Sequence, residues 1–552
     1  MTGPEAPPAG RREWIALAVI ALPCLLYSMD LSVLYLALPS LTADLKPGSA
    51  GLLWITDIYG FMIAGFLITM GTLGDRIGRR RLMLYGAAAF GAASVLAAFA
   101  ASTAMLITAR ALMGVAAATL APSTLSLIRN MFLDPRQRTV AIGVWVTSFS
   151  AGAAAGPLLG GLLLHFFWWG SVFLIAVPVM ALLLVLGPVL LPESRNPGAG
   201  HFDLLSAALS LVAVLALVYG VKELAQDGFG RVPVFPFLAG LAAGAAFLRR
   251  QRNLAAPLVD LRLFRAPAFI ASLAANTVSL FLIFGTFFLT AQYLQLVLGL
   301  SPLAAGGWAV PSAAGFITGS QLAPAVARRL GAGITMASGL AIAAAGLAAL
   351  AWLPGSGGAG LAVLVTGSVL LAVGVSPVVT LATDQIVGAV PPERAGVASG
   401  LSETGTELGG ALGIALLGSI ATAVYRSQLT GALPAGIRPP AIITARSTLA
   451  AAVHAADRLP PHLGTPLLTA ARGAFTQGLH VAAIVSAALA VTLAVAAATV
   501  LRRPQPLRPR PVPAPAYPAS PGSRSGRRPA ALRRRRRQLP GLTSAIRLVR
   551  GW

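Results

Sequence analysis

Apolar runs of about twenty residues, separated by short polar breaks, recur from Trp14 to Leu501. A helix needs about 20 such residues to cross the ~30 Å hydrocarbon core of a bilayer. Lipid offers no partner to an unpaired backbone group, so each run is read as a helix. The pattern predicts fourteen spans, over roughly 14–38, 51–73, 82–101, 104–127, 139–164, 170–191, 204–222, 232–248, 268–290, 303–325, 333–353, 359–382, 395–424 and 478–501. The fold class is an all-α integral membrane protein. The first run follows Arg11 and Arg12, is too long for a signal-peptide core and has no clear small-x-small cleavage site, so it reads as a retained span.

Arginine sets the orientation. The breaks after even-numbered spans carry Arg76, Arg79, Arg80 and Arg81, then Arg129, Arg136 and Arg138, then Arg195, then Arg249, Arg250, Arg252, Arg262 and Arg265, then Arg328 and Arg329, then Arg394. Short breaks after odd-numbered spans carry only Lys46, Lys222 and Arg231. Both termini are therefore expected in the cytoplasm, with residues 1–13 as the N-terminal segment, and the alternation requires an even number of spans.

Two segments stand apart from the spans. Residues 425–477 form an outer loop containing "ARSTLAAAVHAADRL", which reads as an amphipathic helix, with a second helix near "PLLTAARGAF". The loop is either a hairpin over the outer mouth or a tolerated insertion. Residues 502–552 are rich in proline and arginine, contain Arg533 to Arg537 in one run and lack any acid. Such a tail buries no core and is expected to be disordered and drawn to anionic lipid. Its lack of interleaved aromatics speaks against nucleic acid.

Composition agrees with this picture. Apolar residues make up 56% of the 552 residues and charged residues only 11%, against about 25% charged in ordinary soluble chains. The tail's fourteen arginines supply over half of the net charge of +24. The one cysteine, Cys24, excludes an intrachain disulfide, and the five histidines show no ligand spacing, so neither a metal nor another cofactor is expected. No nucleophile–base pair or phosphate-binding loop is evident, so an enzyme is not expected.

The most specific string is "GTLGDRIGRRR", Gly71 to Arg81, between the second and third spans. Gly71 and Gly74 permit close helix approach, Gly78 permits an unusual turn dihedral, and Asp75 can cap a helix or pair with arginine. Arg76, Arg79 and Arg80 add positive charge to the turn. "GAAAGPLLGG", Gly152 to Gly161, places Gly152, Gly156, Gly160 and Gly161 around Pro157, opening a stripe for a neighbouring helix and a bend. "LITARALMGVAAA" centres on Arg110 in span four.

The Gly71–Arg81 string resembles the signature loop of the major facilitator superfamily, and Gly152–Gly161 resembles that superfamily's antiporter motif. "MDLSVLYLALP", "LLWITDIYGF" and "PLVDLRLFR" are similar to its fourteen-span drug:proton antiporters, with the quaternary-ammonium and biocide exporters the nearest branch. The resemblance covers Trp14 to Leu501 and leaves out the tail. It implies a six-helix bundle over 14–191, a linker over 192–267 carrying two extra spans, and a second six-helix bundle over 268–501. It implies export by alternating access and a monomer. The second-half counterpart of the signature loop, "QLAPAVARRLGAG", has Pro324 near where an aspartate would be expected.

Five ionisable residues fall clearly within spans: Asp30, Asp57, Arg110, Glu403 and Glu407. A charge there is costly and marks a functional site by default. With a rise of about 1.5 Å per residue, Glu403 lies about 12 Å and Glu407 about 18 Å from the cytoplasmic end of span thirteen, while Asp30, Asp57 and Arg110 share a level in the outer half. Asp384 and Lys222 lie near span ends, where interface exposure is expected.

Structural readings stand beside the functional ones. Asp30 could pair with Arg110 simply to fix helix packing, Asp57 could be interfacial, and Glu403 could line a cytoplasmic vestibule. The functional reading is that a carboxylate in a dry cavity holds a proton near neutral pH and gives it up to an arriving cation. Two acids at i and i+4 repel when both are ionised. Glu407, read as the deeper and drier, would share proton and cation, while Glu403 would admit substrate or shift the pKa of Glu407. Tyr27, Trp54, Tyr59 and Phe61 are aromatic candidates for lining the site.

The resemblance implies that Asp30, Asp57, Glu403 and Glu407 serve protonation and cation recognition. Span ten lacks the acid the family often has there, leaving Gln321 and Ser312, which favours lipophilic monovalent cations over divalent ones. The expected function is proton-coupled efflux of lipophilic cations. The alternatives are a dedicated exporter of an endogenous antibiotic or other natural product and, remotely, a membrane sensor or scaffold.

Overall fold

The apolar runs fold as helix, and among the described residues of the computed structural model there are seventeen α-helices, a short 3-10 helix (Leu261–Arg265) and a π-helical turn (Tyr293–Val297). The structure describes residues 9–47, 49–195, 203–227, 231–254, 257–354, 358–391, 395–433, 437 and 439–500. The side chains of Asp57, Pro157 and Lys222, the whole of Arg394 and the tail 502–552 with its Arg533–Arg537 run lie outside the described residues.

The first group is α1 (Arg11–Leu45), α2 (Ser49–Ile77), α3 (Arg79–Ala98), α4 (Thr103–Met131), α5 (Pro135–Phe166), the short α6 (Ser171–Leu174) and α7 (Ala176–Leu190). Next come α8 (Leu204–Asp227) and α9 (Arg231–Asn253). The second group is α10 (Pro267–Gln292), α11 (Pro302–Leu330), α12 (Ala332–Leu350), α13 (Gly358–Gly388), α14 (Ala395–Gly431) and α17 (Pro461–Val500), with α15 (Pro439–Ser447) and α16 (Leu449–Asp457) between the last two. Among the described residues no strand occurs, and ten helices are long and apolar enough to cross a membrane.

Close approach through small residues holds each bundle together, as lipid provides no hydrophobic drive between helices. In the first bundle, Gly114 of α4 abuts the Tyr59 carbonyl of α2, and Gly152 of α5 abuts the Leu25 carbonyl of α1. In the second, Gly339 of α12 faces the Gly374 carbonyl of α13. The longest such ladder is Gly405, Gly409 and Gly413 of α14, set against Thr277 and Phe281 of α10. A side chain at Gly409 would overlap the Thr277 carbonyl, which is backbone and cannot swing aside. Gly409→Leu is therefore expected to cost about 1–3 kcal/mol through overpacking and to lower the thermal midpoint of purified protein by several degrees. An unchanged midpoint would show that this contact is not tight.

The extra helices α8 and α9 pair with each other, and α8 also leans on α2 and α14, one from each bundle. Leu211 and Leu215 of α8 fill the space above Gly65 of α2. At the head of α8, the Arg250 guanidinium, helped by Ser206, holds the Asp203 carboxyl well below the usual carboxylate range.

The outer segment differs in detail from expectation. Helix α14 runs on to Gly431 and α17 already starts at Pro461, so much of the expected loop is continuous helix and "PLLTAARGAF" belongs to α17. The amphipathic stretch is split in two, because the Thr448 side chain leaves the helix to accept from Ala451 N and cap α16. The pair α15–α16 rests on the second bundle's own extension: Tyr425 donates to the Ala445 carbonyl at 2.6 Å, and Leu449, Ala452, Leu467 and Phe475 share one apolar cluster.

The two bundles meet at the end that carries the arginines. Gly71 of α2 abuts the Gly396 carbonyl of α14, Ser126 of α4 lies 3.5 Å from Ser399, and Ser320 of α11 bonds the Gly143 carbonyl of α5 at 3.2 Å. Asp384 of α13 accepts from Arg138 Nε at 2.6 Å and from Thr139 at 2.8 Å, both on α5. Asp384 is therefore a cross-bundle partner and not the exposed span-end charge its position predicts. Among the described residues, every hydrogen bond between the bundles lies between this end and the middle of the helices.

Candidate functional site

Helix α4 carries Arg110 into the first bundle with no exposed surface. Its Nη1 meets Asp30 Oδ2 of α1 at 3.0 Å, and its Nε donates to the Ile55 carbonyl of α2 at 2.7 Å. The guanidinium carbon lies 5.0 Å from the Tyr59 ring centre and 5.8 Å from that of Phe173. A planar, delocalised cation suits this sandwich of carboxylate, carbonyl and aromatic faces. One side chain thus joins α1, α2, α4 and α6. The Tyr59 hydroxyl is buried without a hydrogen-bond partner among the described residues, within electrostatic range of Asp30, Arg110 and Glu407.

Helix α14 places its two acids by simple periodicity. Residues two apart on a helix point to opposite sides, so the ladder Gly405–Gly409–Gly413 on α10 turns Glu403 and Glu407 toward the first bundle. There the Tyr27 hydroxyl of α1 donates a hydrogen bond to Glu407 Oε1. Tyr27 is steadied by Phe149, centroids 5.6 Å apart, and by Tyr59 at 6.1 Å; Phe149 leans in turn on Trp145 at 4.8 Å. Glu403 lies within electrostatic range of Tyr27 and Cys24.

The relative dryness of the two glutamates reverses the expectation. Glu403 is 6% exposed and buried, whereas Glu407 is only partly buried. Depth measured along one helix assumes water at both ends, but the bundles are shut together at the arginine-bearing end, which covers Glu403. A second difference concerns the aromatics. Tyr27 and Tyr59 join the acidic cluster, while Trp54 and Phe61 turn to α8, where both pack on Tyr219. Trp54 and Tyr219 are stacked 10° from parallel, and Trp54 remains 41% exposed. Tyr59 lies on a different face of α2 from these two rings.

The Gly71–Arg81 turn is a built structure. Arg79 is 1% exposed, is ion-paired with Asp75 and donates to the Gly71 carbonyl at 3.1 Å. A side chain at Gly396 would overlap its guanidinium, so the turn seals against the start of α14. Gly78 has φ +111°, a region that L side chains avoid, and an added Cβ would also strike Glu193. Glu193 accepts from Arg80 N at 3.2 Å, and Arg80 and Arg81 lie 3.7 Å from its other oxygen. Arg76 ends α2. In the Gly152–Gly161 stripe, Gly152, Gly156 and Gly160 are buried, while Gly161 faces open space.

Sequence reasoning missed Asn276 of α10, which donates to Thr406 Oγ1 at 3.0 Å and to the Ser402 carbonyl at 3.3 Å and so clamps α14 beside both acids. A lone asparagine in an apolar run was the available signal. Gln321, one of the two polar candidates of span ten, reaches across to Thr147 of α5 at 3.0 Å.

Comparison with known proteins bears on the whole chain. Residues 20–414 match the family model described as Major Facilitator Superfamily. The chain is 43% identical over 492 residues to the multidrug efflux pump LfrA of Mycolicibacterium smegmatis, covering 89% of this chain and 97% of that protein. It is 35% identical over 494 residues to the methyl viologen resistance protein SmvA of Salmonella typhimurium, covering 88% and 97%. Among solved structures, the human organic anion transporter MFSD10 (TETRAN) superposes with a TM-score of 0.54 at 18% identity, covering 89% of this chain and all of that one, a likeness of fold alone. By its family match and its near full-length relatives, this chain belongs to the major facilitator superfamily of membrane transporters.

Proposed function

We propose that this protein is a proton-coupled exporter of lipophilic, mainly cationic compounds, working by alternating access in a bacterial cytoplasmic membrane. Fourteen spans, with both termini and the arginine-bearing end in the cytoplasm, complete the reading, and the transporter acts as a monomer surrounded by lipid. The observation that carries it is the position of Glu407: an acid about a third of the way along α14, facing the opposite bundle and held by a hydroxyl from it. A group so placed belongs to neither bundle alone, so its charge state bears directly on how the bundles meet.

The chemistry follows from desolvation. A carboxyl group with little access to water favours its protonated form. A cation entering beside it favours the ionised form, and the proton leaves toward whichever side is open. Glu407 exchanges proton for cation, Glu403 shifts that exchange by like-charge repulsion at i+4, and Asp30 with Arg110 fixes the facing wall. Asp57 is assigned to the same acidic set by its resemblance. The names of the relatives, an efflux pump and a methyl viologen resistance protein, support efflux of this kind of compound.

The test is transport in proteoliposomes under an imposed pH gradient, with a panel of quaternary cations and neutral natural products. Export of the cations should follow the gradient and vanish when a protonophore collapses it. Gradient-independent movement, or export of neutral compounds alone, would overturn the proposal.

A further inference from the structure

Tyr27 does more than line a wall. Its hydroxyl reaches from α1 to Glu407 Oε1 on α14, across the plane where the two bundles separate. The ring is held between Phe149 and Tyr59, so the hydroxyl arrives from a fixed direction. Behind the ring lies a cavity of about 10 Å³, lined by Pro23, Cys24, Phe90, Ala121 and Phe149 among others. That is room for at most about one water. The neighbouring hydroxyl, that of Tyr59, is fully buried and has no hydrogen-bond partner among the described residues.

We propose that the Tyr27 hydroxyl is an internal stand-in for substrate: it holds Glu407 between transport cycles and must be displaced by the cation. The inference rests on the reading of Glu407 as the cation site. A hydroxyl presents the positive end of its dipole to the carboxylate, as a cation would. A quaternary ammonium head carries no N–H and is as broad as the carboxylate, so it approaches both oxygens and meets the hydroxyl's hydrogen on the way. Both cannot occupy that face. Between cycles the hydroxyl donates to the protonated acid; as the cation displaces the hydroxyl and the proton leaves, the newly ionised carboxylate is never left bare, which would be costly at a poorly solvated site. It also makes Tyr27 a determinant of specificity: compounds that bind Glu407 too weakly to displace the hydroxyl are refused.

Tyr27→Phe keeps the ring and removes the competitor. Ethidium binding to purified protein, followed by fluorescence anisotropy, should tighten about tenfold, the worth of one hydrogen bond to a charged group. In proteoliposomes the KM for ethidium should fall while kcat also falls, because the unloaded carrier has lost its cross-bundle contact. A merely structural defect would raise KM instead. Tyr85→Phe, which removes an exposed tyrosine hydroxyl on α3 outside the site, should leave the affinity unchanged, and equal tightening there would overturn the assignment to Tyr27. Unchanged or weaker binding in Tyr27→Phe, with binding lost in Glu407→Gln, overturns this inference alone. Unchanged binding in Glu407→Gln overturns the parent reading with it.

Discussion

Glu407→Gln should reduce pH-driven efflux of an ethidium-like dye by about a hundredfold or more, while leaving the folded protein intact. Glutamine keeps the shape and can still meet the Tyr27 hydroxyl, so packing at the bundle interface survives. What it removes is the negative charge and the titratable proton together. Losing one partner of a poorly solvated ion contact costs about 3–5 kcal/mol, and every 1.4 kcal/mol is tenfold. Glu403→Gln removes only the repulsive neighbour one turn away, and a smaller loss of about tenfold is expected. The decisive measurement is the ratio of protons to dye moved in reconstituted vesicles. A Glu407→Gln variant that still couples the two at the wild-type ratio would refute the assignment.

Asp30→Asn should cost about 3–5 kcal/mol of stability, because it leaves the fully buried Arg110 guanidinium without its counter-charge. The double variant Asp30→Asn with Arg110→Met should recover much of that loss, since removing both charges leaves no uncompensated ion. Thermal melts of the purified variants read this directly. Transport separates the two meanings of the pair. If the double variant regains both stability and coupled efflux, the pair is a packing device. If it regains stability alone, Asp30 has a further task in the proton or cation path, as the proposed function requires.

The membrane architecture was legible because it is written locally. Helices follow contiguous apolar runs, the breaks after even-numbered runs carry most of the arginines, and the Gly71–Arg81 turn gathers Asp75, Gly78 and Arg79 within a few residues. The acids were legible too, since a carboxylate in such a run is conspicuous. Their environment was not. Tyr27 and Glu407 are 380 residues apart, and nothing in either stretch announces the other. Glu403 reads as the wetter acid from its place on α14, yet the meeting of the bundles makes it the drier. Trp54 and Phe61 share a helix with Tyr59 but turn to α8, and no periodicity in α2 alone could say that a linker helix stands there. Asp384 reads as a surface charge until α5 brings Arg138 to it. Glycine at every fourth place in α14 carries part of this information, since it seats α14 on α10 and turns both glutamates to the opposite face.

The tightest contacts in the seam between the bundles are those of Gly71, Gly396, Ser126, Ser399, Gly143 and Ser320, beside the Arg138–Asp384 ion pair. Hydrophobic adhesion grows with apolar area, at about 25 cal/mol per Å², and these residues have almost none to offer. Pulling the seam apart bares hydroxyls and carbonyls that water accepts readily. Closing it brings backbones near enough to exclude a path for ions. A carrier working by the proposed alternating access visits both arrangements in every cycle, and a joint lined with leucine would stick in one of them. Glycine and serine give a seal that is tight when shut and cheap to open, so neither arrangement becomes a trap.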